Sequence, residues 1–261
     1  YTFGIKHTTA DNMTTMLQGS QVGPTPTFFF DYSVKDLRRD ITCCPFQWTK
    51  GVQTLQSFKS WSFGKLRYEW TNRMIPTGND DGINRQYMRY ADIVLMRAEL
   101  ENELNGASAA VPYLTKIRNR AFATSDRATE VTAYVAEAAL SKEKMFQAIV
   151  DERAYEFAGE LIRKADLIRW GMLKSKMDET KNKMKAIVSL TDYDSKHPYS
   201  QLSGHAYYKM SAYTWTRNGI ETTEKDAKLN LYGLNYGEMD INPEGYTEFS
   251  DSKGEASTWI K

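Results

Sequence analysis

Net charge, histidine and cysteine are all scarce in this chain of 261 residues, and no long apolar run occurs in it. The formal charge is +1, from 34 Lys+Arg against 33 Asp+Glu, which supplies no long-range field to draw in nucleic acid or an anionic bilayer. A membrane-spanning helix needs roughly 18 to 20 consecutive apolar residues, and none are found. The three histidines, His7, His197 and His205, share no metal-ligand spacing, so a zinc site is not expected. Cys43 and Cys44 are the only cysteines and are adjacent. Such a pair builds no disulfide framework, and bridging neighbours is strained, so reduced or separately buried thiols are expected. There is no Gly-rich phosphate loop and no G-x-S-x-G nucleophile elbow. The NDDG run at 79–82 packs oxygen atoms into a turn but lacks the spaced acids and closing Glu of an EF-hand, so it reads as a plain turn. No metal or cofactor is expected. The chain opens at Tyr1 without Met, a charged n-region or an apolar h-region, and reads as a processed protein or a fragment with any targeting signal outside it.

Aromatics, by contrast, are plentiful: 13% of the residues, with 16 Tyr and 6 Trp. Many lie in Gly-, Ser- and Thr-rich stretches, where an apolar face with a polar edge suits a binding surface as well as a core. Residues 1–83 lack sustained periodicity and carry recurring turn chemistry, with short aromatic runs at 27–32 and 65–70 that read as brief strands, and one hairpin. Residues 187–261 read as irregular, aromatic-rich loops.

The helical centre is 84–186. Tyr87, Ala91, Val94, Leu95 and Ala98 fall on one stripe at helical spacing, closed by Asn105-Gly106. A second helix runs through Val111, Leu114 and Ile117 to Ala121, with Pro112 expected in its first turn. A further pair starts at Ser141, a good N-cap, presents Phe146, Ile149, Val150, Phe157 and Leu161, and closes at Gly171. Two helix–turn–helix units suggest tetratricopeptide-type stacking.

Arg153 falls in the middle of the apolar stripe of that second pair. A guanidinium there must be paired, because an isolated buried charge costs many kcal/mol. Glu156 and Glu152 are its expected partners, and Arg163, Asp166 and Arg169 continue an alternating charge pattern. Two readings compete. Glu152 and Glu156 as an acid/base pair would have to flank an open cleft. As members of a salt-bridge network with Arg153, Arg163, Asp166 and Arg169 they would be structural, and that reading fits two Glu one turn apart on one helix better.

The residues at these positions resemble the SusD/RagB family in order and spacing. The chain carries RYAD at 89–92, LMRAE at 95–99, NE at 102–103 and IRNRA at 117–121. It continues with ER at 152–153, EFAGE at 156–160, Arg163, and DLIRWG at 166–171, preceded far upstream by DLR at 36–38. The resemblance covers 36–171. It implies a mainly α fold of tetratricopeptide-type helix pairs with long irregular loops and a few short strands. The family's N-terminal lipid-modified Cys and following helices are not in this sequence, so the chain is expected to be the C-terminal portion of a longer lipoprotein. The Ile-Pro closing pattern of the family is not evident near the end.

The resemblance further implies a non-catalytic protein on the outer face of a Bacteroidetes outer membrane, held by a lipid anchor outside this chain. It would capture oligosaccharide or polysaccharide and deliver it to a SusC-like TonB-dependent transporter. Capture of peptide is the alternative within the family. A glycan-degrading enzyme and a purely structural helical scaffold are the alternatives outside it. Sugar recognition uses aromatic faces ringed by a few polar groups. The candidate ligand residues are therefore Trp48, Trp61, Arg67, Tyr68, Trp70 and Asn72 before the helices, and Tyr213 and Trp215 after them.

Overall fold

A computed structural model describes residues 4–10, 14, 21–33, 35–44, 46–49, 52–56, 60–66, 68, 86–189, 191–202, 205–217, 220–230 and 246–250. The chain divides into two compact units. One is Lys35–Arg39 with Arg85–Asp166; the other comprises Tyr1–Val34, Asp40–Asn84 and Leu167–Lys261. In chain order the helices are α1 (Pro26–Asp31), α2 (Arg39–Thr42), α3 (Tyr90–Asn105), α4 (Ala107–Ala121), α5 (Tyr134–Ala138), α6 (Lys142–Phe157), α7 (Arg163–Arg169) and α8 (Leu173–Ser189). The strands are β1 (Cys43–Cys44), β2 (Phe46–Thr49), β3 (Val52–Leu55), β4 (Ser62–Phe63), β5 (His205–Arg217), β6 (Ile220–Asn230) and β7 (Tyr246–Ser250).

The helical unit is built on α3 and α4, joined by Gly106 alone. Gly106 has φ +88°, a backbone that L side chains rarely adopt, and it serves as both the end of α3 and the start of α4. Ala91, Val94, Leu95 and Ala98 of α3 pack with Ala107, Ala110, Leu114, Ile117 and Ala121 of α4 and with Met145, Ala148, Ile149 and Phe157 of α6. The 3- and 4-residue spacings expected from the sequence thus form one apolar core. α4 begins at Ala107, so Pro112 lies inside it rather than in its first turn. Tyr87 precedes the helix and is 95% exposed, so it is not part of the buried stripe. A π-helical turn at Ala128–Ala133 leads into α5.

Ser141 caps α6 as expected: its Oγ accepts from the Lys144 backbone N–H at 3.1 Å. Ser141→Ala should lower the stability of this unit by about 1 kcal/mol in urea unfolding, the usual cost of losing a cap. Beyond α6 the chain turns sharply, with Gly159 at φ +79° and Leu161 at φ +69°. Leu161 is exposed and belongs to the turn, not to the buried face. α7 is held back against α6 from within the unit by Arg163 Nη1, which donates to the Val150 carbonyl at 2.8 Å.

The other unit contains the β2–β3 hairpin, with Phe46 opposite Leu55 and Thr49 opposite Val52. The 5–8 segment runs beside β2: Trp48 N–H donates to the Lys6 carbonyl and Thr8 N–H to the Trp48 carbonyl, both at 2.8 Å. The run at 27–32, read as a strand, falls mostly in α1, where Pro26 occupies the first turn and presets φ. Phe29 and Phe30 are buried there. Cys43 and Cys44 are buried in β1, which pairs with β4, and no disulfide joins them. Residues 205–250 include an antiparallel sheet of order β6-β5-β7, where loops alone were expected. Alternating Thr, Tyr and Trp in β5 are strong strand formers, and their period of two is visible once the partners are known.

Candidate functional site

The charged residues singled out on α6 are the centre of a buried ion-pair network inside the helical unit. It begins with the DLR tripeptide. The buried Asp36 carboxylate accepts from the Arg38 backbone N–H at 2.9 Å and grips its guanidinium through Nε at 2.9 Å and Nη2 at 2.6 Å. This fork fixes the direction of Arg38, whose Nη1 then donates to Glu152 Oε1 at 2.7 Å and Glu156 Oε2 at 2.9 Å. The segment is anchored by Leu37 N–H donating to the Ala121 carbonyl at the end of α4, at 2.9 Å.

Glu152 is fully buried, and its second oxygen accepts from Arg118 Nη1 at 2.7 Å. Arg118 is itself tied down by the π-helical turn. The Glu130 carbonyl accepts from its Nε at 3.0 Å and its Nη2 at 2.6 Å, and its guanidinium lies 3.7 Å over the Tyr134 ring. Burial pushes the Tyr134 phenol well above its ordinary range, so it stays neutral beside this charge. Glu156 binds Arg38, Arg89 and Arg120. Arg89 also pairs with Glu160 through Nε at 2.7 Å and Nη2 at 2.9 Å, and lies 4.6 Å over the Phe157 ring.

Arg153 is paired, as its burial demands, but not with Glu152 or Glu156 as expected. Its Nε donates to Asp166 at 2.7 Å and its Nη1 to Asp92 at 2.8 Å. The physical reason is competition: the two glutamates already accept from arginines of other elements. Asp92 is the last residue of the RYAD motif and Asp166 the first of DLIRWG, so each motif acid finds its partner on α6. Arg163 binds the Val150 carbonyl, and burial lowers its guanidinium below the ordinary value despite the fields of Asp151 and Asp166. Arg169 falls in the other unit, where it lies 4.3 Å over the Trp170 ring.

Burial works to raise the Glu156 carboxyl, but Arg38, Arg89 and Arg120 outweigh it and hold the group below the ordinary range. Its folded value lies below the unfolded one, near ~4.3, so its contribution is present above that pH and is lost as pH falls through the lower folded value. Urea midpoints should therefore drop steeply on that acid limb, and Glu156→Gln should flatten it.

The aromatic candidates divide. Trp48, Trp61 and Tyr68 are 0%, 2% and 1% exposed and form interior packing. Trp48 stacks with His7 at 6.2 Å between centroids and meets Phe46 edge-on; Trp61 meets Phe29 edge-on at 5.6 Å. In this conformation they offer no open ring face. Arg67, Trp70, Asn72 and the NDDG run lie outside the described residues. Tyr213 and Trp215 belong to β5, opposite Glu224 and Thr222 of β6. Arg38, Arg89, Arg118 and Arg120 stand in or beside the motifs quoted above, but nothing in their local spacing reveals that they converge on two glutamates of another helix. Among the described residues no cluster of His, Cys, Asp and Glu is placed to hold a metal ion, and no helix is long and apolar enough to cross a membrane.

Known proteins resemble this chain in sequence and in fold. The SusD-like protein P25 of Formosa agariphila is 48% identical over 90 residues, 34% of this chain and 16% of that protein. The crystal structure of a SusD homolog from Bacteroides thetaiotaomicron superimposes with a TM-score of 0.50 at 23% identity, over 59% of this chain and 34% of that one. The matches thus span about a sixth of the curated relative and a third of the solved one. The mostly helical fold is that of the solved relative. With the sequence model of the SusD family matching residues 51–248, most of its length, the chain belongs to the SusD family.

Proposed function

We propose that this chain is part of a non-catalytic, cell-surface nutrient-binding protein that captures oligosaccharide or polysaccharide and passes it to a TonB-dependent outer-membrane transporter. The observation that carries this reading is the SusD-family match over residues 51–248. Anchorage would be through a lipid outside this chain, and the transporter would be SusC-like. The chemistry of α6 supports binding over hydrolysis. A glycosidase needs one carboxyl that can hold a proton and another that can attack or activate water across an open cleft. Glu152 is fully buried with both oxygens on arginines, and Glu156 is held ionised by three of them. Neither is free for either role.

Arg67, Trp70, Asn72, Tyr213 and Trp215 are the candidate ligand residues that we carry forward, because Trp48, Trp61 and Tyr68 are committed to the interior. The test is affinity electrophoresis across polysaccharide gels, with a peptide digest titrated calorimetrically. Retardation by one glycan without release of reducing sugar supports the proposal. Heat from peptides with no retardation would replace glycan by peptide as the cargo, and product release would overturn the non-catalytic reading. Truncating an aromatic anchor generally costs ~1–2 kcal/mol of binding. Trp215→Ala should accordingly weaken retardation by about tenfold, and an unchanged mobility shift would remove Trp215 from the site.

A further inference from the structure

Away from the helical unit, residues 191–202 form a compact segment between α8 and β5 that is braced mainly by its own acids. Asp192 accepts from Ser200 N–H at 3.0 Å and its hydroxyl at 2.6 Å; Asp194 accepts from Lys196 N–H at 2.8 Å. Backbone bonds from Tyr193 N–H to the His197 carbonyl and from His197 N–H to the Asp194 carbonyl, both at 3.1 Å, close the turn. His197 stands at the point where this segment meets α1. Its side chain is 12% exposed, and carboxylates face both of its ring nitrogens. Asp194 Oδ1 lies 2.6 Å from Nδ1 and Asp31 Oδ1, at the end of α1, lies 2.9 Å from Nε2.

A neutral imidazole has one N–H and one lone pair. Whichever nitrogen carries the proton, the other would point a lone pair at a carboxylate, so only the imidazolium satisfies both contacts. The remaining charged groups agree with this. From α8, Lys183 Nζ donates to the same Asp31 oxygen at 2.7 Å and to Glu179 at 2.8 Å, leaving Asp31 to balance two cations while Asp194 and Glu179 add negative charge. Lys183 is the cation that opposes the imidazolium among the described residues, and it is itself buried among these acids and 5.7 Å from the Tyr193 ring. Tyr193 meets the His197 ring edge-on and Tyr199 lies tilted against it, the latter also packing on Phe30 of α1. Lys196 completes the titratable groups of the segment itself.

We propose that His197 is a proton-controlled latch: as an imidazolium it ties the 191–202 segment to the end of α1 through Asp31 and Asp194, and on losing its proton it lets that segment loosen. Burial works against the charge, but the bonds to Asp31 and Asp194 raise His197 above the ordinary histidine value. The sign follows. The latch contributes fully below the unfolded value near ~6.5 and is lost as pH rises through the higher folded value. The latch is therefore shut in mildly acidic surroundings and opens as pH rises past a point above the ordinary histidine value. This concerns the segment alone and is independent of what the protein binds.

The test uses the full chain. The ring signals of the three histidines are followed by NMR against pH, with His197→Gln assigning the one that matters. Amide exchange of Tyr193, His197 and Ser200 is measured over the same range and corrected for its intrinsic base catalysis. His197 should titrate above free histidine, and the amides should lose about tenfold or more of their protection across that midpoint. Asp194→Asn and, separately, Asp31→Asn should each move the midpoint down; if one fails to fold, the other and the unaltered chain still decide. A His197 midpoint at or below that of free histidine, or protection that ignores it, would overturn the latch.

Discussion

Glu152→Ala should destabilise the helical unit by about 3–5 kcal/mol, the loss expected when one partner leaves a buried ion pair and the others stay. That is a large share of the ~5–15 kcal/mol available to an ordinary domain. Glu152 is fully buried and holds Arg38 on one oxygen and Arg118 on the other. Removing it strands parts of two guanidiniums that Asp36, Glu156, the Glu130 carbonyl and the Tyr134 ring can only partly satisfy. Glu152→Gln keeps the shape but turns an N–H2 group toward an arginine, donor against donor, so it should recover little. The measurement is urea unfolding followed by far-ultraviolet circular dichroism. Asp178→Ala is the control: it removes only an exposed pair with Lys174 and should leave the midpoint unchanged. If Glu152→Ala behaved like that control, the network would not be holding the unit together.

Arg153→Ala should cost a comparable ~3–5 kcal/mol for the mirror-image reason: two carboxylates, Asp92 and Asp166, lose the cation between them. The effect should also be local. Asp166 is on α7, and its bond to Arg153 together with Arg163 on the Val150 carbonyl pins α7 beneath α6. Hydrogen exchange should therefore rise first in Arg163–Arg169. Replacing all three charged groups with apolar ones, in Arg153→Met with Asp92→Leu and Asp166→Leu, should restore most of the lost stability, because well-packed apolar side chains in such places are often as good as the ion pair. A triple variant as unstable as Arg153→Ala alone would mean that the packing of the arginine stem matters more than its charge.

The helices were legible because their apolar periodicity is local, and Arg153 was legible as an anomaly for the same reason: a charge in an apolar stripe must be explained. Its partners were not, since a wheel compares residues on one helix while the pairing is decided between helices. Arg38 reaches Glu152 across 114 residues, and no local pattern encodes that distance. The aromatics show the opposite failure. Trp48 and Trp61 lie in sequence that looks like loop, yet backbone bonds from the 5–8 segment and edge-on contacts with Phe46 and Phe29 bury them. Loop-like composition therefore did not imply an exposed ring. The run at 27–32 reads as a strand from its phenylalanines, but Pro26 presets the helical φ and tips a short ambiguous segment the other way.

The composition of the helical unit has a consequence for the order in which the chain is made. Its contiguous part, Arg85–Asp166, lacks five residues that come much earlier, Lys35–Arg39, and among these is the arginine that spans Glu152 and Glu156. During synthesis that short segment emerges first and stays without its glutamates until α6 has left the ribosome. Until then Arg38 has only Asp36 of its carboxylate partners, and the two acids one turn apart that it will bridge are still to come. Closing so long a loop adds only a slowly growing entropic cost, but it makes the docking of DLR a late event. A peptide carrying residues 35–39, added to a fragment that begins after them, should therefore complete the helical unit from outside.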